Sequence, residues 1–165
     1  MKTLYLVRHA KSDQGIAGIA DIDRPLNTRG YRDADTMSKA LKEKKLLPDL
    51  IITSPAVRAF STALIFCRNF NLNPDKIIIK TELYESSVKN YLQVIKQADD
   101  RFSSIMLFGH NPIMSDLANS LSSSFTEDVP TCSVVCIKSN CKHWENIEEN
   151  EGELLFYDFP KKNLL

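Results

Sequence analysis

Short apolar runs alternate along the chain with longer amphipathic stretches. Thr3-Arg8, Leu50-Thr53, Ile77-Lys80, Ser104-Phe108, Ser133-Ile137 and Glu153-Tyr157 are short and rich in aliphatic residues. Runs of that length and composition predict strands, several of them buried on both faces. Between them the apolar positions recur at helical spacing. Thr28 can cap a helix reaching about Lys44, with Ala34, Met37 and Leu41 on one face. Ser54 is placed as an N-cap, with Pro55 as the first helical residue and Phe70 near the end. Ser87 can cap a third helix through about Ala98, and Pro112 can open a fourth through about Leu121. Strands alternating with helices imply βαβ units. The expected fold class is α/β: a three-layer α/β/α sandwich with a mostly parallel central sheet. No helical pattern separates the last two strands, so they are expected to form an antiparallel edge. The polar, acidic stretch Cys141-Gly152 reads as the loop joining them.

Length and composition narrow the classes. The 165 residues suit one domain, and 43% hydrophobic with 25% charged residues allows a proper core. The formal net charge is +0, so the overall balance offers no basic footprint for nucleic acid. No apolar stretch approaches the ~20 residues that span a bilayer. The N-terminal segment reads as a strand without a signal-peptide pattern, which makes the cytoplasm the expected compartment. Cys132, Cys136, Cys141 and His143 superficially resemble a metal cluster, but their spacing matches no zinc pattern. These cysteines, like Cys67, read as structural.

Three strand ends carry chemistry. Leu4-Tyr5-Leu6-Val7 runs into Arg8-His9-Ala10, Leu50-Ile51-Ile52-Thr53 into Ser54-Pro55-Ala56-Val57-Arg58, and Ile105-Met106-Leu107-Phe108 into Gly109-His110-Asn111-Pro112. Open α/β sheets bind ligands at the carboxyl ends of their strands. Two guanidiniums and an imidazole there suit the oxygens of a phosphoryl group. Arg58 falls in a first helical turn, where free N–H groups also favour an anion. Phosphoryl transfer is catalysed chiefly by positioning and electrostatic clamping, which Arg8, Arg58 and His110 can supply. His9 is then free to attack phosphorus as a neutral imidazole, giving a phosphohistidine that water hydrolyses. Such a route needs no metal and no cofactor. Taken singly, Ser54-Pro55 could be only a helix start and Gly109-His110-Asn111-Pro112 only a turn.

The pattern Leu6-Val7-Arg8-His9-Ala10, then Ser54-Pro55-Ala56-Val57-Arg58-Ala59-Phe60-Ser61-Thr62-Ala63, then Gly109-His110-Asn111-Pro112 resembles the histidine phosphatase superfamily, which includes cofactor-dependent phosphoglycerate mutases and acid phosphatases. The segment Asp21-Ile22-Asp23-Arg24-Pro25-Leu26-Asn27-Thr28-Arg29-Gly30 is similar to that of the short SixA-type phosphohistidine phosphatases. The likeness runs from Met1 to about Ile137, and it implies one histidine phosphatase domain over residues 1–165. It implies His9 as nucleophile, Arg8, Arg58 and His110 as the phosphate pocket, and Arg24 as a further cation. Ala10 departs from the superfamily's usual glycine. Larger relatives carry a proton-donating Glu shortly after the third strand, and Leu83-Tyr84-Glu85 resembles that site. Glu82 and Asp13 are weaker candidates, and Glu85 could equally be a solvated loop charge.

Only a strand and one helix fit between Arg58 and His110, so no large cap is expected over the site. An open site suits a phosphorylated side chain on another protein, such as a phosphotransfer domain. The alternatives are a phosphatase acting on a small phosphorylated metabolite, and a silent phosphate-binding module. No nucleic-acid or membrane partner is expected.

Overall fold

Successive residues of the first strand feed two separate cores. In the computed structural model, which describes residues 1–163, Leu4 and Leu6 pack on one face of a sheet while Tyr5 and Val7 pack on the other. This period-2 alternation is what a strand buried on both sides requires. Along the chain the main elements are β1 (Lys2–Arg8), α1 (Thr28–Glu43), β2 (Leu50–Thr53), α2 (Val57–Asn69), β3 (Ile78–Ile79), α3 (Val88–Lys96), β4 (Ser104–Gly109), α4 (Ile113–Leu121), β5 (Val134–Ser139), β6 (Glu153–Asp158) and a short α5 (Pro160–Asn163).

The six strands lie in the order β3-β2-β4-β1-β5-β6. β1, β2, β3 and β4 run parallel, β5 runs antiparallel to β1, and β6 is antiparallel to β5. The mostly parallel sheet and its antiparallel edge thus match the expectation. Met37 and Leu41 of α1 and Phe66 of α2 cover one face. Tyr91 and Ile95 of α3 with Met114 and Leu117 of α4 cover the other. The outcome is the three-layer sandwich.

Four local expectations need correction. Asn27, not Thr28, caps α1, and its side chain accepts from the Gly30 amide. Ser54 does not cap α2, which begins at Val57 after Ala56. β3 shrinks to two residues on the sheet edge, where a short strand limits unwanted pairing. The acidic stretch after Cys141 is not a plain surface loop. Its Trp144 and Ile147 are buried in the core, and Trp144 Nε1 donates to the Phe102 carbonyl at 2.9 Å. Ser87 does cap α3, accepting from the Asn90 amide.

Candidate active site

β1 and β4 are neighbours at the centre of the sheet, so their carboxyl ends present His9 and His110 side by side. The pairing continues past the strands: the His9 amide donates to the Gly109 carbonyl at 3.0 Å, and the Ser54 amide to the Phe108 carbonyl at 3.0 Å. α2 then carries Arg58 in its first turn, with the residue 6% exposed. Ring centroids of His9 and His110 lie 5.3 Å apart. Together with Arg8, Arg24, Arg58 and Asn111 they wall a cavity of about 170 Å³. Sequence-predicted Arg8, His9, Arg24, Arg58 and His110 therefore meet in one place.

Each imidazole has a defined partner. The Ala10 carbonyl can only accept, so His9 Nδ1 donates to it at 2.7 Å. In the neutral ring the lone pair is then on Nε2. Burial pushes the His9 pKa down to about 3, and the charges of His110, Arg58 and Arg8 push the same way. Burial first, and Arg58 next, bring His110 down to about 4. Both rings are neutral near pH 7. His110 Nε2 shares a 2.8 Å hydrogen bond with the Ser54 hydroxyl. Among the described residues, His110 Nδ1, Arg8 Nε and Arg58 Nε are buried without a hydrogen-bond partner.

Four contributors were not foreseen. Thr62 accepts from the Ala10 amide at 3.0 Å and donates to the Arg58 carbonyl at 2.7 Å, which ties the β1 turn to α2. Asp21 forms ion pairs with Arg24 at 3.0 Å and with Arg58 at 3.1 Å. The Tyr84 hydroxyl donates to Asp21, and its ring meets that of His110 edge-on at 5.7 Å. Ser54, expected as a helix cap, instead orients His110. Tyr84 and the two arginines hold the Asp21 carboxyl well below the usual carboxylate range. That rules out Asp21 as a proton donor at neutral pH.

The candidate donors fare differently from the cluster. Glu85 is exposed, stands at φ 49°, and is not among the cavity-lining residues; nor are Glu82 and Asp13. One Asp13 carboxylate oxygen is taken by Asn27 at 2.9 Å. Among the described residues no group of three or more His, Cys, Asp or Glu is placed to hold a metal ion. All four cysteines are free thiols, three of them buried. No helix among the described residues is long and apolar enough to cross a membrane. A larger cavity of about 640 Å³ opens at the opposite end of the sheet, lined by Leu50, Ile51, Cys67, Ile77, Ile78 and Phe102 among others, but no histidine lines it.

Comparisons with known proteins bear on this geometry. A model of the histidine phosphatase superfamily (branch 1) matches residues 4–106, a span that holds Arg8, His9, Arg24 and Arg58. An uncharacterised protein of Mycobacterium tuberculosis is 28% identical over 166 residues, covering 94% of this chain and 100% of its own. The crystal structure of SixA from Agrobacterium tumefaciens superposes with a TM-score of 0.81 at 26% identity, covering 96% of this chain and 98% of that one. The protein histidine phosphatase SixA complexed with tungstate shares the fold at a TM-score of 0.80 and 23% identity, with 99% of each chain covered. His110 lies beyond the family match and enters the cluster on the structure alone. The chain belongs to the histidine phosphatase superfamily, branch 1, and is a phosphatase.

Proposed function

We propose that the reaction passes through a phosphohistidine on His9, and that the substrate is phosphohistidine carried by another protein, such as a phosphotransfer domain. One observation carries the reading. His9 donates through Nδ1 to Ala10, which leaves the Nε2 lone pair for attack on a ligand in the cavity that Arg8, Arg24 and Arg58 also line.

In the first step His9 Nε2 forms a bond to phosphorus while the bond from phosphorus to the substrate nitrogen breaks. The released electron pair goes to the departing ring, which leaves as neutral imidazole because its other nitrogen carries a proton. Water then attacks phosphorus, and the bond to His9 breaks with its electron pair returning to Nε2. Phosphate leaves carrying the water's oxygen and one of its hydrogens, while the other is released to solvent as a proton. Arg8, Arg24 and Arg58 hold the phosphoryl oxygens, and His110 is a further donor to them. Arg8 Nε and Arg58 Nε, buried without partners, support an anion between them. The side chains supply the positive charge, so the route runs without a metal or cofactor.

A protein-borne substrate is supported by the open site: between α2 and β4 the chain forms one α-helix, α3, the two-residue strand β3 and two single-turn 3-10 helices, with no large cap. A phosphohistidine protonated on its second ring nitrogen also expels its leaving group easily, because that group is neutral imidazole, whose conjugate acid has a pKa of about 6.5. That suits a site whose lining contains no carboxylate. We place the enzyme, acting as a single domain over residues 1–165, in the cytoplasm, where its free thiols stay reduced. The second reading, a small phosphorylated metabolite, is favoured by an adjoining cavity of about 340 Å³ that could seat a small leaving group. Side-by-side turnover of a phosphohistidine protein and a panel of phosphorylated metabolites separates the two. Turnover of metabolite esters alone overturns the phosphohistidine reading.

A further inference from the structure

Asp21 sits in an exposed turn yet receives three side-chain donors. Arg24 Nε reaches Oδ1 at 3.0 Å, while Arg58 Nη2 at 3.1 Å and the Tyr84 hydroxyl at 2.5 Å both reach Oδ2. Its backbone carbonyl takes a fourth donor, Arg58 Nη1, at 2.7 Å. An ionised carboxylate has about four lone-pair sites, so one acceptor position is left. The side chain is 56% exposed, which puts that position within reach of solvent.

Its place relative to the two cavities matters. Asp21 does not line the 170 Å³ cavity that holds His9. It lines the adjoining 340 Å³ cavity with Ile16 and Ile19, and Gln14 and Arg24 wall both. The group expelled when His9 attacks phosphorus departs on the side away from His9. The adjoining cavity shares Gln14 and Arg24 with the one that holds His9, and its acidic residue is Asp21, so a leaving group seated there meets that carboxylate.

We infer that Asp21 selects substrates by the charge of the leaving group, favouring phosphoryl groups on a protonated nitrogen base over esters that carry a second anionic group. The inference rests on the phosphohistidine reading above. A phosphoimidazole protonated on its second nitrogen expels a neutral imidazole, because the pair from the broken P–N bond cancels the ring's charge. The unprotonated form would have to expel an imidazolide anion. A carboxylate that accepts from the ring N–H holds the substrate in the form that leaves easily. The same carboxylate repels a neighbouring carboxylate or second phosphate. Were Asp21 only a brace for Arg58, it would affect every substrate alike.

The test compares wild type, Asp21→Asn and Asp21→Glu on phosphoimidazole, p-nitrophenyl phosphate and phosphoglycerate. Relative to p-nitrophenyl phosphate, Asp21→Asn should lose about fivefold in kcat/KM on phosphoimidazole and gain by a similar factor on phosphoglycerate, the scale of an exposed ion pair. Asp21→Glu should keep the wild-type order. Raising the salt concentration should shrink the wild-type preference and leave Asp21→Asn unmoved, because exposed charges are screened. Equal losses on all three substrates overturn the inference and leave Asp21 as a brace. If Asp21→Asn does not fold, a wild-type preference insensitive to salt overturns it instead. A wild type inactive on phosphoimidazole but active on esters sinks the phosphohistidine reading; the ratio of phosphoglycerate to p-nitrophenyl phosphate in Asp21→Asn then decides the role of Asp21 separately.

Discussion

His9 and His110, one from each of the two central strands, stand with ring centroids 5.3 Å apart and planes tilted by 53°. They are not interchangeable. His9 spends Nδ1 on a backbone carbonyl, whereas His110 spends Nε2 on the Ser54 hydroxyl. The two rings therefore keep different nitrogens free, which is the ground on which we propose His9 as the nucleophile.

His9→Ala is expected to abolish turnover with the fold retained. Rapid quenching of wild type with labelled substrate should trap acid-labile, base-stable phosphate on His9. Label on His110, or near-normal turnover by His9→Ala, contradicts the assignment.

Arg58→Ala should lower the rate by about 10²–10³, the usual cost of losing one donor to developing charge. Arg58→Lys should restore only part of it, since an ammonium cannot form the planar fork that now engages Asp21. A loss below about tenfold would mean that Arg58 does not hold the phosphoryl group.

His9 is buried and His110 half-buried, and their pKa values are brought down to about 3 and about 4. Below the unfolded value of about 6.5, the unfolded chain gains protons that the folded chain refuses. Their contribution is thus constant above pH ~6.5, and stability is lost as pH falls from there towards the folded values. Urea titrations across that range should show the decline, and His9→Asn should flatten it. The acid limb of kcat/KM set by these rings should lie near pH 4, not near 6.5. A limb at 6.5 would mean that the rings titrate as if solvated.

Glu85→Gln should leave phosphohistidine hydrolysis within about twofold, the range of ordinary surface changes. A much larger loss on alkyl esters than on phosphohistidine would show that Glu85 reaches the leaving group as a proton donor.

Gly109→Ala tests how His110 is held. An added Cβ would stand 2.5 Å from the Tyr91 hydroxyl, which accepts from the His110 amide and donates to the Leu83 carbonyl. Tyr91 is fully buried and cannot retreat, so the strain should cost about 1–3 kcal/mol of stability. Activity should fall with it as His110 moves. Normal activity and stability in this variant would show that the Tyr91 contact does not set the position of His110.

The parts of the fold and site that were legible in the sequence are those written locally. An apolar run buried on both faces marks a strand without outside help, and β1 and β4 were placed within a residue or two. Arg8, His9, Arg58 and His110 were found because each follows such a run. The meeting of Asp21 and Tyr84 is not legible, because they are 63 residues apart and come together only in the folded chain. Leu83-Tyr84-Glu85 marks Glu85 in the sequence, yet the side chain of that segment lying against His110 is Tyr84. Ser54 has the form of a helix cap, and nothing local reveals that its hydroxyl goes to a histidine 56 positions away. Trp144 was hidden by the charged residues around it, since composition averages over a stretch in which one side chain does the packing.

That tryptophan is the chain's only one. It lies beneath Lys2, whose ammonium sits 5.2 Å from the ring centre, and against the segment that leads into β4. Those neighbours stand at the amino ends of the two central strands, whereas His9 and His110 follow their carboxyl ends. The protein therefore contains a built-in optical gauge that reads the integrity of the core and is remote from the chemistry. Its fluorescence can certify that a dead active-site variant is still folded, with no label added and no substrate present.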